Sequence, residues 1–211
     1  MIIFGLSISR KESRKICDFL NKEDGFNIGF ESDLNKISWS DSQIIVMNRV
    51  KLLEKKIYNN TKKSNKKIKV VGDVGFYFLP YLELLINNFP HLKFVCTNKN
   101  KNKIFEDIFD EIKNDMNPLL RILFFRKKFK NHWIHHNGSK WEKDYILDKC
   151  YPKFDATSLK NSIDKYIDLY YSNLKKMQKK YPNNLKIFYS DELNSDYGKN
   201  KIFSFIGSKQ L

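Results

Sequence analysis

The stretch KIKVVGDVGFYFLPYLELLINNF, Lys67 to Phe89, decides how the rest of the chain is read. It starts as an apolar, β-branched run, breaks at an aspartate between Gly72 and Gly75, and continues as a helical pattern opened by Pro80. A nearly continuous apolar run is what a strand covered on both faces requires. The sequence therefore predicts a strand over Lys67 to Val71, a helix over Leu79 to Asn88, and Asp73 in the turn between them.

The same unit recurs in both directions. Ile2 to Leu6 reads as a buried strand, Ser7 to Ser13 as a polar turn, and Arg14 to Lys22 as a helix. Phe26 to Phe30 reads as a strand. Ser42 to Asn59 reads as a helix capped by Ser40 and Asp41, with the tract NNTKKSNKKIK from Asn59 as a solvated loop. Lys93 to Thr97 is a further strand and Lys103 to Asp115 a further helix. After Pro118 the period lapses into a basic, aromatic segment. A long helix over Leu159 to Lys180, a strand over Leu185 to Tyr189 and an apolar piece over Ile202 to Ile206 close the chain. Strand and helix alternate throughout, which predicts an α/β fold: a mainly parallel sheet flanked by helices, with ligands at the carboxyl ends of the strands.

Composition sets the bounds. A chain of 211 residues suits a single domain, residues 1–211, able to bury about 70% of its unfolded surface. With 41% hydrophobic residues, 17 Phe and 11 Tyr, disorder is excluded. The formal charge of +15, from 39 basic and 24 acidic residues, attracts anions of several classes without choosing among them. Two explanations of the Lys, Asn and Ile richness stay open, a function of the basic surface and an AT-rich coding bias with no function attached. Arginine, the usual bidentate phosphate ligand, occurs only at positions 10, 14, 49, 121 and 126, so Arg10 and Arg14 stand out beside the first strand. Cys17, Cys96 and Cys150 have neither disulfide nor zinc spacing, the N-terminal apolar run is too short for a signal peptide, and no stretch reaches membrane-span length. The expectation is a soluble, cytoplasmic protein.

In this architecture Ser7 to Arg14, Asp73 and Asn98 to Lys103 all face one crevice. A carboxylate there can act as a general base on an acceptor hydroxyl beside an activated donor, or it can simply cap the turn into the next helix. The segments FGLSISRKESRKICDFL, GDVGFYFLPYLELL, FVCTNKNKNKIFEDIF and NHWIHHNGSKWEKDYILDKCYPKFD, in that order, resemble the sulfotransferase family, particularly its marine bacterial sulfotransferase-like members. The resemblance implies a fold like that of the P-loop kinases and transfer of a sulfuryl group from 3′-phosphoadenosine 5′-phosphosulfate (PAPS) to a hydroxyl or amine, on a carbohydrate or small metabolite. No metal is implied. It makes residues 118–158 an irregular segment on the acceptor side.

The resemblance matches the family's phosphosulfate loop, [K/R]-S-G-T-[T/S], to Arg10, Lys11, Glu12, Ser13 and Arg14. It makes Lys99 the 3′-phosphate ligand and Asp73 the catalytic base. Backbone amides at a helix start, with a hydroxyl and a guanidinium, form an anion cradle. Two positions depart from the pattern. Glu12 stands where the family has glycine, and Asp107 where it has the serine that shares the 3′-phosphate. Two readings follow: an active sulfotransferase with a divergent donor site, and a family member that keeps the scaffold as a nucleotide- or anion-binding protein.

The remaining signals are weaker. His132, His135 and His136 match no common zinc signature and read as surface or acceptor-pocket residues. Trp133, Trp141, Tyr145 and Tyr151 read as the core of the irregular segment. Phe124 to Lys130 mixes aromatic and basic residues as single-strand nucleic-acid binders do, but no recognition motif accompanies it.

Overall fold

The computed structural model describes residues 1–32, 37, 39, 43–63, 68–114, 151–154 and 158–207. Its centre is a five-stranded sheet in the order β2-β3-β1-β4-β5, parallel at every pairing. The strands are β1 (Ile2–Leu6), β2 (Phe26–Phe30), β3 (Val70–Val74), β4 (Lys93–Asn98) and β5 (Leu185–Tyr189). The helices are α1 (Arg10–Leu20), α2 (Gln43–Lys63), α3 (Leu82–Asn88), α4 (Lys101–Asn114), α5 (Leu159–Lys180) and α6 (Asp196–Ile206), with 3-10 turns at Phe76–Tyr81 and Ser190–Asn194.

The expected α/β architecture is what forms. Every residue of β1 and β3 is buried, as interior parallel strands demand. Side chains alternate across the sheet: Ile2, Phe4 and Leu6 enter the core formed with α2, α3, α4 and α5, while Ile3 enters the opposite core formed with α1 and α6. On the first face the Phe4 ring packs 4.3 Å from that of Phe78 and 5.6 Å from that of Phe94. The second face is closed by Ile16 and Leu20 of α1 and Ile202, Phe203 and Ile206 of α6.

Both sheet edges are blunted. The alternate amides of β5 that face away from β4 are taken by the Tyr181 carbonyl, Gln178 Oε1 and Glu192 Oε2. At the other edge the Asn21 amide pairs with both backbone groups of Ile28, as a neighbouring strand would. Such caps remove the template on which another chain's strand could add.

Several boundaries differ from the sequence reading. Helix α1 starts at Arg10 rather than Arg14, because Ser9 caps it: its Oγ accepts the Glu12 amide at 3.2 Å and its carbonyl the Ser13 amide at 2.9 Å. Strand β3 spans Val70–Val74 rather than Lys67 to Val71, since its pairing with β2 and β1 begins at Val70 and Val71. Asp73 therefore lies within the strand and not in a turn. The following helix opens as a 3-10 turn over Phe76–Tyr81, with Pro80 inside it. Helix α2 runs on through Lys63, so the tract from Asn59 begins in helix and not in a loop. Most of residues 118–158, with His132, His135, His136, Trp133, Trp141, Tyr145 and the run Phe124 to Lys130, lies outside the described residues. No helix of the described residues is long and apolar enough to cross a membrane.

Candidate functional site

With every strand parallel, the carboxyl ends of all of them meet at one edge. The chain passes from β1 to one side of the sheet and later crosses back to β4 on the other, so the crevice opens beside the end of β1. The start of α1, the end of β2, Asp73 and Lys99 stand around it.

Asp73 is registered opposite Phe4 of β1 and Gly29 of β2 and is 1% exposed. Its Oδ2 accepts the Tyr77 hydroxyl and its Oδ1 the Ser32 amide at 3.1 Å. The 3-10 turn that follows is capped at Gly75 with no side-chain bond, so Asp73 is not a helix cap. The glycines around it answer to packing. A Cβ on Gly72 would lie 1.7 Å from the Ile3 carbonyl oxygen, and one on Gly29 would lie 2.8 Å from Asp73 Oδ1 and 2.2 Å from Ser32 Oγ. Gly29 thus makes the room in which the carboxylate sits.

Of the residues assigned to the donor, Arg10, Lys11 and Lys99 come together. Arg10 Nε donates to Glu31 Oε2 at 2.7 Å. Lys11 Nζ reaches Asp107 Oδ1 at 3.4 Å, and the Lys11 backbone amide donates to Glu111 Oε1 at 3.1 Å. Lys99 Nζ lies 2.7 Å from Asp107 Oδ2 and 3.4 Å from Glu12 Oε1. Ser13 is buried, with its hydroxyl on the Ser7 carbonyl at 3.4 Å, and the Arg14 guanidinium lies over the Phe30 ring at 3.7 Å. Both contacts are local to α1 and its neighbouring strands.

Glu12 turns inward and away from the helix start. Its side chain, 2% exposed, accepts Lys15 Nζ at 2.8 Å, the Ser190 hydroxyl and Lys99. Burial acts to raise its carboxyl, but the bonds from Lys15 and Ser190 and the charges of Lys15 and Lys99 outweigh this and hold it below the usual range. Glu12 therefore ties α1 to β4 and to the turn after β5.

The sequence reading missed Glu31, Glu111, Tyr77 and Ser190. Glu31 is, among the described residues, the one non-glycine with a positive φ, 46°. Burial raises its carboxyl and the charge of Asp73 adds to this, against the nearby guanidinium of Arg10. Glu111 is raised further, to about 7: burial dominates, Glu31 and Asp107 add to it, and the Lys11 amide and Arg10 oppose. A usable signal did exist in Asp107 and Glu111, one helical turn apart on α4.

No protein-family model and no curated protein matches the chain. The α/β fold is similar to that of a crystal structure of a sulfotransferase from Alicyclobacillus acidocaldarius, with a TM-score of 0.56 over 99% of this chain and 81% of that one. The sequences are 12% identical, so the likeness is one of fold.

Proposed function

We propose that the chain is a cytoplasmic sulfotransferase that moves a sulfuryl group from PAPS to a hydroxyl or amine of a carbohydrate or small metabolite. The observation that carries this reading is the convergence of the α1 start, Lys99 and a buried strand aspartate at one edge of a sulfotransferase-like sheet. An anionic oxygen already rests on the α1 amide of Lys11, in the form of the Glu111 carboxylate, so the seat fits the kind of group a donor would bring. Arg10, Lys11 and Lys99 would hold the phosphates. PAPS supplies the sulfuryl group and leaves as adenosine 3′,5′-bisphosphate. Asp73, a carboxylate at the carboxyl end of β3, would take the acceptor's proton.

A second reading, a nucleotide- or anion-binding protein without catalysis, is favoured by the ion pairs that Arg10, Lys11 and Lys99 already make. Calorimetric titration with adenosine 3′,5′-bisphosphate tests both. Arg10→Ala and Lys99→Ala should each weaken binding by about 1.5–3 kcal/mol, the range for a charged hydrogen bond. Unchanged affinity in both variants removes the donor assignment. Binding without transfer of labelled sulfate from PAPS to a panel of sugars, amines and alcohols leaves the second reading standing. If transfer is found, Asp73→Asn, assayed below its melting temperature, should lower it by about 10²–10⁴-fold.

A further inference from the structure

Each cation the proposed donor site offers is matched by a carboxylate of the same chain. Glu31 holds Arg10, Asp107 spans Lys11 and Lys99, and Glu111 sits on the backbone amide of Lys11. The last contact differs in kind. A side-chain ion pair can swing aside, but an amide in the first turn of a helix is fixed, so an oxygen bonded to it stands where a ligand's phosphate or sulfate oxygen would. Glu31, which accepts Arg10 Nε at 2.7 Å and whose charge acts on Glu111, belongs to the same cluster. Its side chain is 2% exposed, its backbone is left-handed, and its Oε1 has no hydrogen-bond partner among the described residues. Strain and an unpaired buried oxygen at one residue are costs that cluster at functional sites.

We propose that Glu111 is an internal plug of the anion seat at the start of α1: a phosphate or sulfate ester enters once Glu111 has given up its charge by taking a proton from solvent. The proposal rests on reading this crevice as a site for the donor's anions. It also reconciles the paired cations with that reading, because they describe a closed site rather than a ruined one.

The charges that face Glu111 are Arg10 and Lys11 from α1, Glu31 from the turn after β2, and Asp107 from its own helix, with Lys99 held by Asp107. Burial first, then Glu31 and Asp107, puts its titration near neutrality, at about 7. Below that pH the plug is neutral; above it the plug is charged and competes. An incoming dianion beside it raises the carboxyl further, so the occupied protein holds more protons than the empty one. Affinity must then fall as pH rises, approaching about tenfold per unit above the midpoint and levelling off below it.

Inorganic sulfate is a suitable probe because it stays a dianion from pH 6 to 8, leaving only the protein to titrate. Dissociation constants would be read from the Lys11 amide resonance of the full chain at pH 6, 7 and 8, for the wild type and for Glu111→Gln, with adenosine 3′,5′-bisphosphate as a second ligand. The wild type should weaken about fivefold between pH 7 and 8. Glu111→Gln should bind at pH 8 at least as tightly as the wild type at pH 6, with no pH dependence for sulfate. Equal affinity and equal pH dependence in the two proteins would overturn the plug and leave the donor site intact. If neither protein binds sulfate or nucleotide at any pH, the donor-site reading itself falls. The wild type alone gives a check that needs no variant: without ligand, its Lys11 amide resonance should titrate with a midpoint near that of Glu111, and a flat response would sink the proposal.

Discussion

Replacing Glu12 separates two views of the α1 start. On the family resemblance, Glu12 intrudes where backbone should approach phosphate, and Glu12→Gly should tighten nucleotide binding. The geometry gives the opposite expectation. Glu12 is 2% exposed and accepts Lys15, Ser190 and Lys99, so its removal strands donors on separate elements. Lys15 is 43% exposed and water can serve it, so that pair counts for little; Lys99 is 18% exposed and the Ser190 bond is buried. Removing one partner of such a buried set costs about 3–5 kcal/mol, and glycine inside a helix adds about 1 kcal/mol. Glu12→Gln keeps the shape and one acceptor oxygen, and should cost about 2 kcal/mol. For a chain of this size that is a fall in Tm of about 4–8 °C, with a larger fall for Glu12→Gly. The loss should depend on pH with a definite sign. A carboxyl held below its unfolded value stabilises the fold above that value, 4.5, and loses its contribution as pH falls through the folded one. The gap in Tm between wild type and Glu12→Gln should therefore be widest near pH 6–7 and close on acidification. Circular dichroism melts across pH 3.5 to 7, with calorimetric titration of adenosine 3′,5′-bisphosphate, measure both quantities. An unchanged Tm together with tighter binding in Glu12→Gly would refute the reasoning.

Two further outcomes test the setting of Asp73. Tyr77→Phe removes a buried hydroxyl from Asp73 Oδ2 and should cost about 1.5–3 kcal/mol in urea-melt stability; a loss under about 0.5 kcal/mol would mean that the bond contributes nothing. Gly29→Ala places a methyl 2.8 Å from Asp73 Oδ1 and 2.2 Å from Ser32 Oγ, which should cost about 1–3 kcal/mol as overpacking and displace the Ser32 amide; an undisturbed Ser32 amide resonance would count against the packing argument.

The elements most faithfully written in the sequence are those whose pattern is set by burial alone. Ile2–Leu6 and Leu185–Tyr189 are strands, and Leu159–Lys180 a helix, over the spans their periodicity predicts. Boundaries went astray where one side chain or a pairing register decides. At the start of α1, Ser9 and Glu12 form the S-x-x-E spacing of a helix beginning, yet Glu12 spends its carboxylate on Ser190 and Lys99 instead of reaching back. At β3 the apolar run is longer than the strand, and only the neighbours β1 and β2 fix that pairing reaches as far as Asp73.

The site was legible as a place but not as a charge balance. Which loops converge follows from parallel alternation, so Arg10, Lys11, Asp73 and Lys99 could be placed at one edge without knowing a contact. Their partners could not. Glu31 lies 21 residues from Arg10, Glu111 lies 100 from Lys11 and Ser190 lies 178 from Glu12, whereas charge patterns in a sequence speak only for pairs a helical turn apart. The net charge of +15 suggests an open basic cleft, but it is a property of the whole surface. At the crevice itself, Arg10, Lys11 and Lys99 face Glu31, Asp107 and Glu111, so the local field is nearly compensated whenever Glu111 is ionised. One proton on Glu111 tips that balance, and an anion entering from solvent meets a cationic seat or a neutral one according to it.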